Sequence, residues 1–258
     1  MLDDIFKQKK YGLALGSGGA KGFVHIGVIR ALEDLDIKIT HIGGSSVGSL
    51  IGGMYSLWGD IDKIENILLS YDKKALVKMF SYDVTLSKGV FKGKNFMKEL
   101  DKYLGSTRIE DCPIPFVAVS VDIESGEKIY HTSGLLKDAI RASCSIPGVF
   151  TPYELNSQKL VDGGLVECVP VRAIEYIGAK KIIGVNIEGF PDRREKINLK
   201  SLTTRVYHAA MYNLGKRDLE LADKQLQFNL STLSTIELVD HAKKYIKMGY
   251  EETINLLD

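Results

Sequence analysis

The stretch ITHIGGSSVGSLIGGMYSLW, residues 39–58, decides the fold. It opens on a short strand at 39–43, turns through glycine and serine at 44–48, and continues with Val47, Leu50, Ile51, Met54, Tyr55 and Trp58 at helical spacing. Strand, tight turn and amphipathic helix in that order form the repeating half of a parallel α/β sheet. The unit before it has the same form. Residues 11–15 (YGLAL) read as a buried strand, and 16–22 (GSGGAKG) as a turn. A helical pattern from about 21 to 35 then sets Val24, Val28, Ala31, Leu32 and Leu35 on one face.

Working outward, Asp60 is placed to cap a third helix with Ile61, Ile64, Ile67 and Leu68 inward. Residues 115–123 (PFVAVSVDI) read as a central strand, with 128–131 pairing beside it. A helix over 135–143 ends before the turn signal Ile146-Pro147-Gly148. A short strand at 159–161 runs into Asp162-Gly163-Gly164, Pro170 opens a helix through 177, and 181–187 (KIIGVNI) is another buried strand. The tail reads as two long helices, 199–224 and 234–257, the second started by a Ser234/Glu237 capping box. The pattern predicts one domain over residues 1–258, with a mainly parallel sheet at about 10–190 and a helical C-terminal part at about 198–258.

The chain has 258 residues and a net charge of +1, which gives no reason to expect a nucleic-acid partner. Its three cysteines, Cys112, Cys144 and Cys168, form no C-x-x-C pair, which fits a reducing compartment and neither a disulfide framework nor a zinc site. No metal-binding motif and no cofactor is implied. The first ten residues hold no apolar signal-like run, and no stretch is long and apolar enough to span a bilayer. The expectation is a cytosolic protein, or one lying on a membrane surface. Oligomeric state is left open.

Gly44-Ser45-Ser46-Val47-Gly48 is G-x-S-x-G between a strand and a helix. A nucleophile on such a turn sits in a strained backbone conformation, and glycines two before and two after leave it room. The helix start aims its N–H groups and positive dipole end at developing negative charge. Taken alone, the motif also fits a plain connecting turn. The loop at 16–22 fails both nucleotide fingerprints, because Lys21 stands where G-x-G-x-x-G needs glycine and no G-K-[ST] triplet occurs. Its backbone N–H groups could instead cradle an anion. A serine nucleophile needs a base. None of the five histidines (His25, His41, His131, His208, His241) sits in a motif, although His208 or His241 falls in the chain order of a Ser-Asp-His triad. Asp162, at a strand end before two glycines, is the other candidate, and it also reads as an ordinary D-G turn.

Together, GSGGAKG, GSSVG and DGG in that order resemble the patatin-like phospholipase family, particularly its short bacterial members. Ala142–Phe150 (ASCSIPGVF) and Leu160–Val171 (LVDGGLVECVPV) resemble two further family segments, so the likeness covers roughly residues 10 to 190. It implies a three-layer α/β/α fold and a Ser–Asp dyad. Ser46 would be the nucleophile and Asp162 the general base, with no histidine. The N–H groups of Gly18 and Gly19 would form the oxyanion hole, supported by Gly16, Lys21, Gly22, Gly44, Gly48, Gly163 and Gly164. Lys21 would position the loop or favour an anionic head group. The chain departs from the family at Ser17, where glycine is frequent; serine serves there if its φ is negative.

The expected function is serine-dependent hydrolysis of acyl-ester lipids such as phospholipids. A Ser-His-Asp esterase or thioesterase, and a non-catalytic lipid-binding regulator with the same fold, are the alternatives. Between residues 73 and 102 eight lysines stand against three acids, interleaved with Val77, Met79, Phe80, Val90, Phe91, Phe96 and Met97. Such a stretch could dock on an anionic membrane or cover the acyl pocket, or simply be a solvated lysine face.

Overall fold

A computed structural model describes residues 8–72, 75, 84–85, 90–189, 199–230 and 241–258. Its first two units follow the expected rhythm. Strand β1 (Lys10–Leu15) leads through a 3-10 turn at Gly19–Gly22 into α1 (Phe23–Asp34). Strand β2 (Lys38–Ser45) leads into α2 (Val47–Trp58), and α3 (Ile61–Leu69) follows. Asp60 caps α3 by accepting a hydrogen bond from the Lys63 N–H at 2.9 Å, as its position before the helix predicts.

The two-residue strands β3 (Val84–Thr85) and β4 (Val90–Phe91) pair with each other, and α4 (Lys94–Leu104) follows. Next come β5 (Phe116–Asp122), β6 (Lys128–His131) and α5 (Leu136–Ser143). The hairpin of β7 (Tyr153–Leu155) and β8 (Gln158–Asp162) turns through Asn156 and Ser157, both at positive φ. After α6 (Val171–Tyr176) come β9 (Ile182–Asn186), α7 (Leu199–Leu219), β10 (Lys224–Gln227) and α8 (Ala242–Leu257).

The main sheet runs β10-β9-β1-β2-β5-β8-β7, with β6 also on β5. Strands β10, β9, β1, β2 and β5 are parallel, whereas β6 and β8 are antiparallel to β5 and β7 is antiparallel to β8. One face of the sheet packs Leu13, Leu15, Ile42, Phe116 and Ala118 with α1, α2 and α5 residues. The other packs Ala14, Val117 and Val119 with Val171, Ala173 and Ile174 of α6. Helices on both faces of a mainly parallel sheet make the three-layer α/β/α sandwich.

The tail differs from the expected pair of long helices. Residues 224–227 form a strand on the β9 edge, because Leu226 and the following Phe228 and Leu230 supply apolar side chains that the sheet edge buries. Four residues flanked by polar ones carry no helical or strand period strong enough to read alone. Helix α8 packs on α1 through paired glycines. A Cβ on Gly27 would lie 1.9 Å from the Ile246 carbonyl oxygen, and one on Gly249 would lie 2.2 Å from that of Val24. The Ser234/Glu237 capping box lies outside the described residues.

The basic stretch is described only in part, and Val77, Met79 and Phe80 lie outside it. Of its apolar side chains, Phe96 is buried with its ring 6.0 Å from that of Phe150, and Phe91 and Met97 pack against the core. These three are therefore core residues rather than free anchors. No helix among the described residues is long and apolar enough to cross a membrane.

Candidate active site

Sheet register assembles the site. Strands β2 and β5 run parallel with Ser45 level with Val119, so the next residue, Ser46, comes level with Ser120. Ser120 is in turn paired across the antiparallel β5–β8 ladder with Asp162. Residues far apart in sequence thus meet at one height on the sheet, at the ends of β2 and β8.

Ser46 holds φ 54 and ψ −125, immediately before the first residue of α2. A non-glycine residue there carries strain of order 1–3 kcal/mol and persists only where its surroundings over-determine it. They do so here. The Ser46 N–H donates to Ser143 Oγ at 2.9 Å. Its carbonyl accepts from the Ser49 N–H at 2.9 Å, from Ser49 Oγ at 2.6 Å and from Cys144 Sγ at 3.2 Å. Close packing demands the flanking glycines: a Cβ on Gly44 would lie 2.3 Å from the Ser49 Cα, and one on Gly48 would lie 2.0 Å from the Leu15 carbonyl oxygen. Ser143 and Cys144 escaped the sequence reading as site residues. They lie in the ASCSIPGVF segment, but nothing in the sequence says that it folds under the serine.

Asp162 is fully buried. Its Oδ1 accepts from the Gly164 N–H at 2.9 Å, and Oδ2 has no hydrogen-bond partner among the described residues. Burial pushes its carboxyl up to about 7. The Ser46 hydroxyl and the Gly164 N–H oppose that rise, and the Glu188 carboxylate adds to it. The Ser46 hydroxyl thus acts on the carboxylate, although Oδ2 makes no hydrogen bond among the described residues. Gly163 and Gly164 are held small by contact: their Cβ atoms would meet the Val119 carbonyl oxygen at 2.1 Å and Ser17 Oγ at 2.2 Å.

The turn after β1 packs on the first turn of α2. A Cβ on Gly22 would lie 2.3 Å from a Val47 methyl. The Gly16 N–H bonds the Val185 carbonyl at 3.0 Å and the Ser17 N–H bonds that of Cys168 at 2.9 Å. Ser17 is not among the residues with positive φ. The N–H groups of Gly18 and Gly19, by contrast, make no hydrogen bond among the described residues. Lys21 is buried, with Nζ 2.7 Å from Glu188 Oε2. The histidines lie elsewhere. His25 bonds the Gly16 carbonyl at 2.8 Å, and burial lowers its imidazole to about 4. His131 bonds Ser120 Oγ at 2.7 Å, and His208 lies 3.7 Å from Glu188. Among the described residues none hydrogen-bonds Ser46.

The profile described as patatin-like phospholipase matches residues 13–174, a span that holds both turns, Ser46 and Asp162. The chain belongs to the patatin-like phospholipase family. Among the relatives of this patatin-like chain is an uncharacterized NTE family protein, Rv1063c, of Mycobacterium tuberculosis, 34% identical over 177 residues, which are 69% of this chain and 49% of that one. The lysophospholipase NTE1 of Yarrowia lipolytica is 34% identical over 198 residues, 74% of this chain and 14% of its own length. The chain thus spans half or less of the length of these curated relatives. Among solved structures, VipD from Legionella pneumophila aligns over 97% of this chain and 67% of its own with a TM-score of 0.52 at 15% identity, a likeness of fold alone.

Proposed function

We propose that this patatin-like domain is a serine-dependent lipid acyl hydrolase working through a Ser46–Asp162 dyad. One observation carries the reading: a strained, buried serine at the start of α2 stands level with a buried aspartate whose carboxyl is raised to about 7 and whose Oδ2 lacks a partner among the described residues. A carboxylate of that basicity suits proton transfer near neutral pH. Bonds of this kind are often long in a free enzyme and tighten once substrate fills the site.

Asp162 takes the Ser46 hydroxyl proton as Oγ attacks the ester carbonyl carbon. The N–H groups of Gly18 and Gly19 receive the oxyanion. Collapse breaks the bond to the alcohol, which leaves with the proton held by Asp162, and the acyl group stays on Ser46. Asp162 then deprotonates water, which attacks the acyl-enzyme; the fatty acid departs and Ser46 regains its proton. The names of the fungal relatives favour a lysophospholipid as the ester. A histidine triad finds no support, because His208 faces Glu188 and not Ser46.

The test is turnover of lysophospholipid and p-nitrophenyl esters by the wild type, Ser46→Ala and Asp162→Asn. Activity present in the first and absent from both folded variants supports the dyad. Activity that survives Asp162→Asn moves the base elsewhere, and no turnover by the wild type on any acyl ester favours a lipid-binding role.

A further inference from the structure

Glu188 was not singled out by any motif, yet it is where three parts of the site meet. It follows β9, is 3% exposed, and its Oε2 sits 2.7 Å from Lys21 Nζ and 3.7 Å from His208 Nδ1. Its own backbone is fixed: the N–H donates to Asn186 Oδ1 at 3.1 Å and the carbonyl accepts from Gln227 Nε2 at 3.3 Å. Lys21 belongs to the turn whose Gly18 and Gly19 N–H groups make no hydrogen bond among the described residues. That turn already leans on the same strand end, for a Cβ on Gly18 would lie 2.4 Å from Ile187 Cγ1. His208 belongs to α7, which also places Met211 against Gly164: a Cβ there would lie 2.4 Å from the Met211 methyl.

We propose that Glu188 is a positioning residue of the hydrolytic site, holding the Gly18–Gly19 turn through Lys21 at the point where His208 of α7 comes within 3.7 Å. The proposal rests on the acyl-hydrolase reading above. A buried ammonium and a buried carboxylate keep their places only while paired. Lys21 is therefore committed to the loop and is not offered to a head group. The groups facing Glu188 are Lys21 from the turn, His208 and Tyr207 from α7, Asp162 from the end of β8, and the Cys168 thiol. Burial favours the neutral Glu188 carboxyl, but His208 and Lys21 outweigh it and hold the group below its ordinary range. Its negative charge in turn makes Asp162 a stronger base. Position and charge therefore predict two separable effects.

The experiment compares kcat and KM across the acidic and neutral range for the wild type, Glu188→Gln, Lys21→Met and the double variant, with thermal unfolding as the fold check. Glu188→Gln should lower kcat about tenfold or more with KM little changed, since a loosened oxyanion turn weakens only the transition state. It should also move the acidic limb of the profile to lower pH, because a negative charge that raised Asp162 is gone. The double variant should lose no more than the worse single one, since the pair acts as a unit. Should Glu188→Gln fail to fold, the double variant, with no lone charge left buried, is read in its place for the loss and the limb. An unmoved limb, a kcat like that of the wild type, or losses that multiply overturns the proposal. A wild type without turnover overturns the hydrolase reading itself.

Discussion

The turn after β1 and the turn after β2 stand side by side, with Leu15 and Gly44 paired across the parallel ladder, and they treat their backbones in opposite ways. After β2 the helix starts at once. One residue, Ser46, absorbs the change of direction at φ 54, and both its N–H and its carbonyl are bonded. After β1 the chain takes a 3-10 turn before α1, and two successive N–H groups, those of Gly18 and Gly19, have no partner among the described residues. A nucleophile needs its backbone fixed so that the hydroxyl points one way. An oxyanion hole needs its backbone unspent so that N–H groups can receive charge. Both turns use glycine, but one uses it to let neighbours close in and the other to keep donors bare.

The largest expected effect lies on the β2 side. Ser46→Ala should remove turnover to background, on the order of 10⁴-fold or more. Ser46→Gly should do the same, and the two variants should part in stability. Glycine accepts φ 54 at no steric cost, so Ser46→Gly should be the more stable by about 1–2 kcal/mol in thermal unfolding. Equal stability would mean that the elbow is not strained.

Asp162→Asn should cost about 10²–10⁴-fold in kcat. It also gives a stability test with a definite sign. The carboxyl stands at about 7 in the folded chain against an ordinary 3.8, so between those values the folded state holds a proton that the unfolded state lacks. Wild-type stability should fall as pH rises through that window, and the loss should be complete above it. Asparagine has no such slope. Asp162→Asn should therefore unfold at a higher temperature than the wild type at about pH 8, and the gap should narrow toward about pH 5. A gap independent of pH would show that burial does not hold Asp162 neutral.

On the β1 side, Gly18→Ala should cost on the order of 10²-fold in kcat, because its Cβ would press on Ile187 at 2.4 Å and swing a donor away. The partner is the end of a side chain, so the fold should survive. Gly48→Ala makes the contrast. Its Cβ would meet the Leu15 carbonyl oxygen at 2.0 Å, a backbone atom of a central strand that cannot step aside, so stability should fall by about 3 kcal/mol or more alongside activity. Measuring kcat and unfolding on both variants would separate a turn that only positions donors from one on which the fold rests.

The elements around Ser46 were legible because period, turn residues and helix face agreed over residues 39–58. Asp162 was legible only through the family likeness, since D-G also makes common turns. Its place level with Ser46 depends on the β2–β5–β8 register, which no local pattern carries. Strand β10 stayed hidden because four edge residues were too few to show a period. Glu188 stayed hidden because its meaning lies in Lys21, 167 positions away in the sequence. Long-range ion pairs leave no spacing to read.

Ser17 gives the smallest expected effect and the sharpest check on the contrast between the turns. The family likeness expects glycine there, with serine serving if its φ is negative. The Ser17 N–H is spent on the Cys168 carbonyl at 2.9 Å, and Ser17 lies outside the positive-φ region, so the position needs no glycine and supplies no donor. Its Oγ is buried with no hydrogen-bond partner among the described residues, so removing it forfeits no bond. Ser17→Gly should leave kcat within about twofold of the wild type and change stability by about 1 kcal/mol or less, the cost of a freer unfolded chain. A large fall in kcat would mean that Ser17 reaches the oxyanion after all, and that donors on the β1 side begin one residue earlier than Gly18.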